Sequence, residues 1–215
     1  MSTPDKTNAV KLPHRTAAFF TKIIGKAETQ ILADGRLMFT TYFLDETGVI
    51  HIVQVEWPKD VDARNRVATI LRAFGIKYNA IAAVTASECW TLPPDLIDAS
   101  GEMRDPSYGS YAAHPARIEG VICALTYRVG GRLYTAKSRR EIVRGLPKEG
   151  HTEGTVTALS PMADDMMLGA PVTSGSRLDK LLSAEPVNAE LRAEADAWLK
   201  GAVFGAHVRE VFTWE

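Results

Sequence analysis

The sequence predicts an α+β fold: a single compact domain built on a mostly antiparallel or mixed twisted sheet, with helices packed on one face. Three observations carry this. Apolar residues recur at helical spacing in three separated segments. β-Branched and aromatic runs come in pairs joined by short glycine-containing breaks. No repeat, low-complexity tract or linker divides the 215 residues. Strands joined by hairpins, with helices set apart from them, favour an antiparallel sheet. The alternative is a mixed α/β sheet in which the helix over 60–74 is a βαβ crossover.

Residues 1–13 are polar and contain two prolines, so they read as a flexible lead-in to a domain spanning 14–215. They lack the apolar stretch of a secretory signal. In 14–34, Phe20, Ile24, Ala27 and Ile31 mark one helix face, and Gly35 offers a left-handed stop. The runs "LMFTTYFL" and "VIHIVQVEW" read as strands, with "DETG" as the hairpin loop between them. In the second run Val49, His51, Val53, Val55 and Trp57 alternate onto one face. Asp60 is placed as an N-cap for the stripe Ala63, Val67, Ile70, Leu71 and Phe74, with Gly75 as its stop. "YNAIAAVTASECW" is a third strand.

The stretch 91–115 carries four prolines and two glycines, and a connection this long is often functional. A fourth strand begins after Pro115. Its unbroken apolar run Val121–Leu125 predicts cover on both faces. Gly130–Gly131 form a two-residue turn into a fifth strand, "RLYTAKS". Residues 145–188 read as short irregular elements with a strand near "TVTAL". A helix over 189–204 and a last strand in "AHVREVFTW" complete the order.

Composition excludes several classes. The net charge is −1, so no global field attracts nucleic acid or anionic lipid. The longest apolar run falls far short of the roughly 20 residues that a membrane helix needs. Cys89 and Cys123 are too few for a disulfide framework; they read as reduced, buried thiols, and a cytoplasmic location follows. No P-loop, dinucleotide fingerprint, nucleophile elbow, H-E-x-x-H, C-x-x-C or EF-hand loop occurs, so no cofactor or metal is expected. Gly145, Gly150 and Gly154 only superficially resemble a phosphate loop, since no Lys-Ser/Thr pair follows them.

Three constellations remain. In the first, Ser87, Glu88 and Trp90 end one strand, while His114, Arg117 and Glu119 begin another. If those strands are neighbours, Glu88, His114 and Glu119 can act as an acid/base group or hold a cation; otherwise they are ordinary strand-end charges. In the second, Arg128, Arg132, Lys137, Arg139, Arg140, Arg144 and Lys148 stand against Glu141 alone, with Tyr127 and Tyr134 available for stacking. This basic run contrasts with the acid-rich 87–108. It reads either as a polyanion-docking hairpin or as a charged strand protected from aggregation. In the third, Asp164 and Asp165 suggest a metal, and Met162, Met166 and Met167 an adaptable binding surface; the plainer reading makes the methionines core filler and sets the Asp pair near a helix start. The five histidines have no ligand spacing, and His51 on an apolar face reads as a hydrogen-bonded core residue.

The leading expectation is therefore a non-enzymatic binding module that docks an acidic protein partner or nucleic acid through the basic hairpin. The rival is a small hydrolase or nuclease, with or without a metal, centred on Glu88, His114 and Glu119. A subunit of a larger assembly is a third possibility.

Overall fold

The computed structural model describes residues 12–56, 58, 60–98, 102–147, 154–162, 167–171, 181–183, 187–201 and 209–210. The lead-in over 1–11, Trp57, Lys148, Asp164, Asp165 and Met166 lie outside them. The first helix, α1, spans His14–Asp34 and buries Phe19, Phe20, Ile23, Ala27 and Ile31 along one stripe. Gly35 ends it at φ 71°, its N–H donating to the Ile31 carbonyl at 2.9 Å. Strands β1 (Thr40–Asp45) and β2 (Ile50–Gln54) form the expected hairpin. Its loop folds around one side chain: Asp45 Oδ1 accepts from the amides of Thr47, Gly48 and Val49.

Helix α2 spans Val61–Lys77, capped by the Asp60 carboxylate, which accepts from Asp62 N and Ala63 N at 2.9 Å each. Gly75, expected from the sequence to stop this helix, lies inside it. A Cβ there would sit 2.4 Å from the Leu181 carbonyl oxygen, so the glycine serves close backbone approach instead.

The remaining elements are β3 (Ala80–Thr91), β4 (Ile118–Val129), β5 (Arg132–Arg144), β6 (Val156–Pro161), β7 (Met167–Pro171), α3 (Ala189–Gly201) and β8 (Arg209–Glu210). The strand order is β6-β5-β4-β3-β1-β2-β8, with β7 also on β5, and every pair is antiparallel. This is the α+β class expected. Helix α2 does cross from β2 to β3, but β1 lies between those strands, so the crossover creates no adjacent parallel pair. Strand β5 runs six residues beyond the "RLYTAKS" segment because β6 pairs with its far end.

The helices divide between the two faces of the sheet rather than sharing one. Helix α1 packs on Tyr42, Leu44, Ala82, Val84, Ala86, Val121, Cys123, Leu125 and Tyr127. On the other face, α2 supplies Leu71 and Phe74 against Phe43, Val53 and Ala83, and α3 packs Ala195 against Ala73 and Ile76 of α2. The physical reason lies in β1. Thr40, Thr41, Tyr42, Phe43 and Leu44 are all buried, and a strand buried at successive positions needs cover on both sides. β4 departs from that pattern. Val121, Cys123 and Leu125 are buried beneath α1, whereas Ile122 and Ala124, on the second face, keep part of their surface exposed.

Two glycines in helices should respond oppositely to alanine. Gly25, in α1, has nothing within 4 Å of an added Cβ, whereas Gly75 meets backbone. In urea denaturation Gly25→Ala should stabilise by about 0.5–1 kcal/mol. Gly75→Ala should destabilise by about 1–3 kcal/mol. A stabilising Gly75→Ala would contradict the close approach of Leu181.

Candidate functional site

The β4–β5 hairpin carries the basic run and determines where each cation goes. Gly130 and Gly131 turn at φ 55° and 74°, left-handed values that glycine adopts without strain and that match a two-residue hairpin loop. Tyr127 then faces Tyr134, Leu125 faces Ala136, and Val121 faces Arg140. Side chains alternate along each strand, so the run is split. Arg132, Arg140 and Arg144 fall on the α1 side, with Arg128, Lys137 and Arg139 on the other.

Several of these cations are bound to neighbouring carboxylates or carbonyls. Arg140 Nε donates to Glu28 Oε1 of α1 at 2.8 Å. Arg128 lies 3.9 Å from Glu46 and donates to the Ser183 carbonyl at 3.4 Å. Arg144 grips Glu119 with two nitrogens, Nε to Oε2 at 2.7 Å and Nη2 to Oε1, and also donates to the carbonyls of Gly35 and Gly154. The expected single basic face is therefore not formed. Nor do Tyr127 and Tyr134 offer stacking surfaces. Both are buried in the core, their ring centroids 5.6 Å apart, and burial pushes the Tyr127 phenol up.

The acidic set fares differently. β3 and β4 are neighbours, as that expectation required, with Trp90 opposite Glu119 and Glu88 opposite Val121. Glu88 and Glu119 consequently share the α1 face, while Ser87 takes the other. Each carboxylate has a structural partner. Glu88 Oε1 accepts from Leu37 N at 2.5 Å, and Glu119 is held by Arg144. His114 is buried in the turn before β4. Its Nδ1 accepts from Ala116 N at 3.0 Å, and its ring meets Tyr108 edge-on at 4.3 Å. Arg117 lies over the Trp90 ring at 5.1 Å. Among the described residues no three His, Cys, Asp or Glu side chains gather as metal ligands.

His51 is satisfied as expected. Its Nε2 lies 3.0 Å from Asp45 Oδ2, and its ring stacks on Tyr78 at 3.9 Å. Partial burial alone would raise the Asp45 carboxyl. Hydrogen bonds from His51, Thr47 and the Val49 and Gly48 amides outweigh it and bring the group down to about 2.

A concave feature among the described residues lies elsewhere, on the face opposite α1 and at the end of the sheet that α2 and α3 leave uncovered. An open cavity of about 930 Å³ has its floor on β3, β4 and β5, with Cys89, Ile118, Ile122, Arg139 and Glu141, and its rim at Pro161 and Met162. The Pro-rich connection after β3 forms the opposite wall with Leu92, Ile97, Asp98 and Tyr111. Gly120, between Cys89 and Glu141 in register, contributes no side chain. A Cβ there would lie 2.8 Å from the Arg140 carbonyl oxygen.

No family model, curated protein or solved structure matches this chain. The geometry alone therefore argues function. Of the residues singled out from sequence, Cys89, Trp90, Arg139 and Met162 line the cavity; Glu88, His114 and Glu119 do not. Ile118 and Ile122 went unmarked because an isoleucine in an apolar strand carries no sign of which face is covered. Glu141 counted in the sequence only as an offset to its basic neighbours. The 91–115 connection and the strand end just before it were the signals that pointed here.

The Arg144 cluster is a structural clamp, and its removal leaves Glu119 without its cation. Arg144→Met should lower stability in urea denaturation by about 3 kcal/mol, as for other broken, largely buried pairs. Arg132→Met, at the exposed end of the hairpin, should stay within about 0.5 kcal/mol. Equal effects would contradict the clamp.

Proposed function

We propose that the protein is a non-enzymatic binding module whose ligand seat is the open cavity over the β3–β4–β5 end of the sheet. One observation carries this reading: about 930 Å³ of concave surface, mostly apolar, with a few charged side chains set into it. That volume lies within the roughly 300–1,000 Å³ range of small-molecule sites, which combine apolar walls with a few placed polar groups. The floor is made of paired strands and the opposite wall of a long connection, so a hydrogen-bonded platform faces a loop, an arrangement in which binding residues are often found. Reduced Cys89 and Cys123 suit a cytoplasmic setting.

Docking of a polyanion on the hairpin as a whole has less support. Its cations lie on two faces, and Arg128, Arg140 and Arg144 face carboxylates of the same chain. The hydrolase reading keeps the shared face of Glu88 and Glu119 in its favour. Against it stand the commitment of both carboxylates to structural partners and their place on the α1 face, opposite the cavity.

A neutral fluorescent probe, N-phenyl-1-naphthylamine, tests the seat without involving charge. The full chain should bind it saturably at one site, and Ile122→Trp, which fills the floor, should weaken binding at least tenfold while leaving the thermal midpoint nearly unchanged. Unsaturable binding, or an Ile122→Trp variant that binds as tightly as the parent, would refute the proposal.

A further inference from the structure

We infer that this seat selects an organic cation, a ligand with an apolar body and one positively charged group, for which Glu141 is the counter-charge; the inference rests on the cavity being the ligand site. Three charged side chains line it: Asp98, Arg139 and Glu141. Asp98 is engaged by its own loop, accepting from Glu102 N at 2.9 Å, and Arg139 also has interactions within the protein. The Glu141 carboxylate has neither a hydrogen bond nor an ion pair among the described residues. Its position explains this. Directly across on β4 is Gly120, which offers no side chain, and the next strand presents the thiol of Cys89.

The wall facing Glu141 has the same sign. The connection walling the cavity carries Asp95, Asp98, Glu102 and Asp105 against Arg104. Of the hairpin's basic residues, Arg140 and Arg144 are turned to the α1 face, where they meet Glu28 and Glu119; Arg139 stays at the cavity, engaged within the protein, and Arg128 and Lys137 share its side of the sheet. A ligand covering Ile118 and Ile122 would strip water from the Glu141 carboxylate. That costs free energy unless the ligand brings a compensating charge. A cation meets this need, and an anion adds repulsion to the desolvation. Because Glu141 is open to solvent before binding, screening limits the discrimination to about fivefold.

Three indoles of similar size test the inference on the full chain: tryptamine, neutral 3-methylindole and anionic 3-indolepropionate, each titrated while the backbone amides of Cys89, Ile118, Ile122 and Glu141 are followed by NMR. Tryptamine should bind about fivefold more tightly than 3-indolepropionate, and Glu141→Gln, at an exposed position, should remove the difference without altering 3-methylindole binding. A preference for the acid, equal binding of the two, or a tryptamine preference that survives Glu141→Gln would overturn the charge assignment while 3-methylindole still marks the seat. If none of the three shifts those amides, the seat itself is refuted and the cation inference falls with it.

Discussion

The register of the β4–β5 hairpin is the constraint on which the rest depends. Two consecutive glycines in left-handed conformation fix that register at Gly130–Gly131, and every later pairing follows from it at a period of two. A slip of one residue would send Ala136 and Ile142 out of the α1 core and bring Lys137 and Glu141 into it. Burial of Tyr134, Ala136 and Ile142 under α1 therefore locks the opposite parity, Arg139 and Glu141 included, onto the cavity face. Packing on one side of the sheet sets the chemistry of the other.

The same parity turns a charge-rich strand into scaffolding. Arg140 reaches Glu28 and so ties β5 to α1. Arg144 bonds Glu119 together with the carbonyls of Gly35 and Gly154, joining β4, the end of α1 and the segment leading into β6. Glu88 holds the Leu37 amide in the connection from α1 to β1. Largely buried, multiply bonded charges of this kind specify geometry more than they add net stability, since their desolvation offsets much of the attraction. What looks in one dimension like a docking face is, in large part, the set of struts that closes α1 onto the sheet.

Local features were the legible part of the fold. Helical stripes, the Asp60 cap, the Gly35 stop and the Gly130–Gly131 turn all act over a few residues, and each was readable from its own neighbourhood. Gly75 was not, because its reason is a carbonyl at Leu181 that no local pattern reveals. The division of helices between two faces was hinted at by the unbroken buried run in β1, yet alternation alone does not say what covers each side. The site was less legible still. Glu88 and Glu119 do end up on one face, because the β3–β4 register sets Glu88 opposite Val121 and Glu119 opposite Trp90, but their partners Leu37 and Arg144 come from distant segments. A cavity is a property of what is left uncovered, and Ile118 and Ile122 look like core residues until the reach of α2 and α3 is known.

The face assignment is tested most directly by the two thiols, which sit on opposite sides of the sheet: Cys89 in register with Gly120 at the cavity, Cys123 buried in the α1 core. Native protein treated with iodoacetamide and mapped by mass spectrometry should be labelled at Cys89, with Cys123 reacting only after unfolding. Labelling of Cys123 as fast as Cys89, or a Cys89 that stays unreacted until the chain unfolds, would contradict the assignment of the open face.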